Sequence, residues 1–262
     1  MLHFRVSGLI AAGALCLVFS MTASPAFAEV REIEPRPGGT IELHVFAADN
    51  PSAAIVMFEG AGGLFKPNGK GFVSARYGDF VDRGFTVVIV GPPADRRGFK
   101  GGMPPKYREH KAHLRDIAMA VKMIKTETGL PVWLLGISMG SKSVASFAAS
   151  RGARMIAGAV FMSSSTNPPG GYRSVADYDF DALKAPVLAV AHRDDACKGT
   201  PPDGAEKIVR AAASSVDATV LMLEGGSNRG RSPCGPGSHH TFTGIEDEVV
   251  DAIAAFIKQH PR

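Results

Sequence analysis

Val132-Trp133-Leu134-Leu135-Gly136-Ile137-Ser138-Met139-Gly140 is an apolar run that ends in Gly-x-Ser-x-Gly and passes directly into the helix-like stretch 141–150. Strand, tight turn and helix therefore follow one another, with a serine on the turn. In that context the pentapeptide reads as a nucleophile elbow, where a cramped backbone pushes the serine hydroxyl out at the carboxyl end of the strand. The flanking glycines carry no Cβ to collide with the strand and helix on either side. Taken without its context the pattern is common, and a glycine-rich helix start with Ser138 as its cap is the plainer alternative.

On either side of this stretch the chain alternates short apolar runs with longer amphipathic ones. Strands are predicted at 41–46, 54–58, 86–90, 132–135, 158–162, 187–191 and 219–223, and helices at 72–83, 110–126, 138–150, 203–213 and 245–259. Most of the strand runs are continuously apolar, as strands covered on both faces are. In the last helix Ile245, Val249, Ala252, Ile253 and Phe256 form one stripe, with Glu246, Asp247, Glu248 and Asp251 largely off it. The fold class is thus α/β: a single domain with a mostly parallel, doubly wound sheet, helices on both faces and ligands bound beyond the carboxyl ends of the strands. Proline and glycine collect at 91–105, 168–171 and 225–237, each after a predicted strand and so on the same edge as Ser138. The segment 163–185 is too short for a helical lid, which predicts an open pocket without a large cap domain.

The first 28 residues read as a signal peptide. Arg5 gives the positive start, 9–19 the apolar run, and Ala26-Phe27-Ala28 the small-x-small site, with cleavage after Ala28. The apolar run is shorter than the ~20 residues of a spanning helix, so no membrane anchor is expected to remain. The expectation is a bacterial periplasmic or secreted protein whose single domain is 29–262. Cys16 leaves with the signal, and the remaining pair, Cys197 and Cys234, reads as one disulfide in an oxidising compartment. A formal net charge of +4 is too weak an excess to argue for nucleic acid as a partner. No cofactor is implied. Nor is a metal, since adjacent His239 and His240 lack the spacing of a helical zinc motif.

On the elbow and on the order serine, acid, histidine, the chain resembles the α/β-hydrolase superfamily, small and uncapped in the manner of esterases and dienelactone hydrolases, over about 38–260. The resemblance implies a Ser-His-Asp hydrolase with Ser138 as nucleophile. The acid is expected after the next-but-one strand, where His192-Arg193-Asp194-Asp195-Ala196-Cys197 stands. Relatives with a doubled aspartate favour Asp194, with Asp195 as the alternative. The histidine is expected before the final helix. There His240-Thr241-Phe242 is nearest the family's His-Gly-aromatic and His239 is the runner-up, with Thr241 a departure from glycine. The oxyanion hole is expected from the Met139 amide and from Ala61 or Gly62 in Glu59-Gly60-Ala61-Gly62-Gly63, with Glu59 paired by Arg76 or Arg96. The disulfide would then tie the acid loop to the histidine loop.

The implied activity is hydrolysis of a carboxylic ester, thioester or lactone through an acyl-enzyme, with a small acyl compound as partner. Between Asp95 and Arg115 stand seven lysines and arginines. If that segment overhangs the pocket an anionic substrate is favoured, and otherwise it is a solvated basic flank. Competing readings are a non-catalytic binding protein of the same fold and a small serine peptidase. Oligomeric state is not legible.

Overall fold

In a computed structural model, residues 27–261 are described. The expected signal segment therefore lies almost wholly outside them. The chain forms strands β1 (Phe27–Ile33), β2 (Ile41–Ala47), β3 (Ala53–Phe58), β4 (Phe85–Val90), β5 (Val132–Ile137), β6 (Gly158–Met162), β7 (Val187–His192) and β8 (Ala218–Leu223). Helices are α1 (Phe72–Asp82), α2 (Lys111–Thr128), α3 (Gly140–Ala148), α4 (Gly204–Ala211) and α5 (Glu246–Gln259). All seven expected strands and five expected helices are present. β1 was not anticipated, because Phe27-Ala28-Glu29-Val30-Arg31-Glu32-Ile33 mixes charges into a run that pairs with β2 at the sheet edge. Its first two residues precede the expected cleavage point.

The strands build one sheet in the order β1-β2-β4-β3-β5-β6-β7-β8. β2 pairs antiparallel with both β1 and β4, and the remaining pairs are parallel. The pleat divides the core in two. In β3, Ala54, Val56 and Phe58 face the layer of α2, α3 and α4, whereas Ala53, Ile55 and Met57 face α1 and α5. Every residue of β3, β4, β5, β6 and β7 is buried, which is why these runs show no polar alternation. β8 is largely half-exposed, as a strand at the open edge can be.

Local chemistry ends the elements where the sheet needs them to end. α2 stops at Gly129, whose φ of 68° places it in the left-handed region, with its N–H on the Lys125 carbonyl. α5 opens with Glu246, Asp247 and Glu248, three acids at the positive end of the helix dipole. Between β6 and β7 the chain forms one short 3-10 turn, Val175–Asp177, and no cap domain. Among the described residues no helix is long and apolar enough to cross a membrane.

Candidate active site

Ser138 sits between β5 and α3 with φ of 54°, a left-handed conformation that a side chain seldom adopts unless its surroundings enforce it. Backbone crowding supplies the enforcement. A β-carbon on Gly136 would stand 2.5 Å from the Gly140 carbonyl oxygen, and one on Gly140 would collide with the Phe58 carbonyl. The Ser138 amide is anchored on Met162 O of β6 at 3.0 Å, and the Ser141 hydroxyl donates to the Ser138 carbonyl. The sequence expectation of an elbow thus corresponds to a tight turn held on three sides.

The carboxylate that meets the imidazole is Asp195. Its Oδ2 lies 2.9 Å from His240 Nδ1, with both side chains buried. Asp194, the residue favoured from the sequence, is exposed. Its amide donates to His192 Nδ1 at 3.0 Å, and its carbonyl lies 3.3 Å from His239 Nδ1. The reason is local: after β7 the chain turns, with Asp195 N–H on His192 O, and the Asp195 Oδ1 accepts the Cys197 amide at 2.8 Å. This Asx turn folds the second carboxylate inward and leaves the first at the surface. Thr200 supplies a further donor, its hydroxyl 3.0 Å from Asp195 Oδ2. Because that oxygen only accepts, the hydrogen between it and the ring resides on His240 Nδ1, which leaves Nε2 as the basic nitrogen.

His240 and His239 divide in the same way. His240 lines the cavity that contains Ser138, with its own carbonyl held by the Ser163 hydroxyl at 2.9 Å. His239 instead stacks on His192 with ring centres 4.2 Å apart. Thr241, in the place where glycine is commoner, lies in a short 3-10 turn, and the left-handed residue there is the buried Phe242, with φ of 57°. Cys197 and Cys234 form the expected disulfide, with Cα atoms 4.7 Å apart, so the acid loop and the histidine loop are covalently joined.

The glycine-rich loop after β3 packs against the elbow, with the β-position of Gly60 only 3.3 Å from Ser138 Cβ. Glu59 is not paired by Arg76 or Arg96, which engage Asp79 and Asp247, and Asp95, respectively. Its carboxylate accepts the Gly60 amide, the Ser74 amide and the Ser74 hydroxyl, and so rests on the first turn of α1, where the helix dipole favours negative charge. The nearby cation is Arg108. It is fully buried and donates to Glu59 O at 3.1 Å, Ala61 O at 3.0 Å and Ser143 Oγ at 2.8 Å. Burial lowers its pKa to about 10, partly offset by Glu59. With its carbonyl turned toward Arg108, the trans peptide 61–62 must direct the Gly62 N–H away from the guanidinium. The amides of Ala61, Gly62 and Met139 are left without a protein acceptor among the described residues, and all three residues line the Ser138 cavity.

That cavity encloses about 1000 Å³. Among the described residues none of 95–115 lines it, and the lining cations are Lys66, Lys70 and Lys198. Thr200, Ser163 and the clamp formed by Arg108 were not singled out from the sequence, since isolated hydroxyls and one arginine in a basic run carry no pattern. Two groups of ligand-type side chains gather near the site, His192 with Asp194 and His239, and Asp195 with Cys197 and His240. Both ring nitrogens of His192 are already hydrogen-bonded, and Cys197 is consumed by the disulfide.

No family model matches the chain, and no curated protein matches its sequence. Solved structures do resemble it. An esterase from Pyrococcus furiosus superposes with a TM-score of 0.65 at 12% identity, over 90% of this chain and 94% of that one. A soluble variant of the monoglyceride lipase from Saccharomyces cerevisiae, in complex with a substrate analogue, gives 0.65 at 11% identity, over 93% and 98%. Brefeldin A esterase, a bacterial homologue of human hormone-sensitive lipase, gives 0.60 at 16%, over 95% and 81%. At such identities the likeness speaks for architecture and not for substrate. With its sheet order, its strained serine turn and these neighbours, the chain has the α/β-hydrolase fold.

Proposed function

We propose that the protein is a serine hydrolase of carboxylic esters, with Ser138 as nucleophile, His240 as general base and Asp195 as the acid that orients it. The observation that carries this reading is the buried Asp195–His240 contact of 2.9 Å, with His240 in the wall of the cavity that also holds the strained Ser138. His240 Nε2 takes the Ser138 proton as the hydroxyl oxygen attacks the acyl carbon. Asp195 keeps Nδ1 protonated and offsets the imidazolium charge. The oxyanion that forms is met by the Met139 amide and by that of Ala61 or Gly62. Collapse of the tetrahedral species transfers the proton from Nε2 to the departing alcohol. Water, with its proton taken by His240, then releases the acid from the acyl-serine.

Thioesters and lactones present the same acyl carbon to the same groups, so a panel of the three ranks them. The direct test of the nucleophile is labelling with a fluorophosphonate, which reacts with an activated serine. Wild type is expected to be labelled and Ser138→Ala is not. Equal labelling of the variant overturns the assignment. The chain is also proposed to be exported and cut after Ala28. The motif at 26–28 supports this, as does a disulfide of the kind that persists in oxidising compartments. Mass spectrometry of protein from the periplasm or medium should then find Glu29 as its first residue.

A further inference from the structure

Five cations around the mouth of the site take no part in holding the fold. Lys66, Lys70 and Lys198 line the Ser138 cavity and are exposed, without a partner for the ammonium group among the described residues. A second cavity of about 730 Å³ adjoins the first, sharing Lys70 and Phe72, and adds Arg229 and Arg231, both exposed and likewise unpaired. Elsewhere arginine and lysine are commonly spent on carboxylates, as Arg36 is on Asp95, Arg83 on Asp251, Arg97 on Glu42 and Lys142 on Glu109. The acids lining the two cavities are Glu59 and Glu246. The first is buried and holds three donors, and the second accepts the Gly244 amide at 2.7 Å. Against these two carboxylates stand the five cations, so the lining of the two cavities carries a net positive charge.

The disulfide helps to keep that charge in place. Lys198 follows Cys197 directly and Arg231 precedes Cys234 by three residues, so cations from two separate loops are stapled to one rim. The same cavity is also lined by apolar side chains, with Phe72 and Ile137 buried and Leu64 and Pro168 nearer the surface. A cleft with a hydrophobic floor and a rim of one sign focuses potential on ligands of the opposite sign.

On the hydrolase reading of Ser138, His240 and Asp195, we propose that the physiological substrate is an ester that also bears an anionic group, carboxylate or phosphate. Its apolar portion lies along the inner wall and its charge among Lys66, Lys70 and Lys198. A single exposed ion pair contributes little, so the preference must come from several cations acting together. It should also fade with salt.

Two matched pairs of esters test this, with the full chain as enzyme. Phenyl hexanoate against monophenyl adipate places the charge on the acyl end, and phenyl butyrate against 4-butyryloxybenzoate places it on the alcohol. Each kcat/KM is divided by that ester's hydroxide-catalysed rate, so intrinsic reactivity cancels. In at least one pair the anionic member is expected to be favoured by about tenfold at low ionic strength. Most of the advantage should vanish near about 0.5 M salt, where charges are screened over roughly 4 Å. In the triple variant Lys66→Gln, Lys70→Gln, Lys198→Gln the anionic-to-neutral ratio should fall toward one. Neutral esters turned over with no anionic preference in either pair overturn this inference and leave the hydrolase reading intact. A preference that survives the triple variant overturns the assignment to these lysines. Failure to cleave any of the four, with Ser138 still labelled by fluorophosphonate, rejects the ester class, and failure of both rejects the hydrolase reading with it.

Discussion

Three donors converge on the buried Asp195 carboxylate, from His240, Thr200 and the Cys197 amide. Its neighbour Asp194 is exposed and contributes backbone groups to the loop. Asp195→Asn keeps the shape but offers His240 an amide, which can hold the wrong tautomer, and kcat should fall by about four orders of magnitude. Asp194→Asn should stay within about twofold of wild type. Steady-state kinetics on the two variants decides between them, and the reverse result would return the acid role to Asp194. His240→Ala against His239→Ala repeats the test for the base. The sequence supplied both loops but not the choice within the doublet. Adjacent residues on a turn point in different directions, and which one faces inward depends on the Asx turn to Cys197. Ser138 was legible because its two glycines are demanded by backbone collisions, a constraint that sequence records directly. Thr200 and Ser163 were not: Thr200 meets Asp195 through the turn of one loop and Ser163 meets the His240 carbonyl from 77 positions away, and neither contact leaves a pattern in the sequence.

Between elements, the loop after β3 is fixed from both sides, by Glu59 on α1 and by Arg108 on the carbonyls of Glu59 and Ala61. The same guanidinium reaches Ser143 of α3, so loop and elbow helix share one anchor. Arg108→Leu leaves the buried Glu59 carbonyl without its donor, at about 1–3 kcal/mol, and frees the 61–62 peptide that orients the Gly62 amide. Melting temperature should drop. Because an oxyanion donor acts mainly in the transition state, kcat should fall by about a hundredfold with KM little changed. Arg108→Lys keeps a cation without the fork and should lie between. A variant that melts earlier but retains kcat would confine Arg108 to a structural role. The disulfide acts at the same scale: with its cysteines 37 positions apart in sequence, Cys197→Ser with Cys234→Ser should lose about 4 kcal/mol of stability on the chain-entropy model. Urea unfolding monitors that loss, and a parallel fall in kcat is expected because the bridge joins the acid and histidine loops. Element types were legible because buried strands and amphipathic helices have different periods. β1 escaped because an edge strand need not bury both faces, and Arg108 was hidden in a run whose other members are largely solvated.

For the molecule as a whole, the buried polar cluster behind the elbow makes stability depend on pH. His113 on α2 is buried, and its Nε2 lies 2.9 Å from the Ser143 hydroxyl. That hydroxyl receives Arg108 and so gives its own hydrogen to the imidazole. Burial first, then the charges of Arg108 and Arg36, lower the His113 pKa from 6.5 to about 3. The folded state therefore keeps the ring neutral, while the unfolded chain binds a proton below about 6.5. Between those values the unfolded state holds one proton more, and stability rises with pH. Above pH 6.5 no penalty from this group remains. On acidification toward pH 3 the loss approaches about 1.4 kcal/mol per pH unit. Asp79 and Asp116, whose pKa values are raised by burial, titrate in the opposite sense, so the wild-type curve alone is a mixture. The His113→Gln variant isolates the term: its side chain can still accept from Ser143 but cannot take up a proton. Urea midpoints measured from pH 7 down to pH 4.5 should converge for wild type and variant as the pH falls, with the wild type losing ground faster. Parallel curves across that range would place the acid sensitivity elsewhere and would mean that the imidazole behind the elbow is solvated enough to charge in the folded protein.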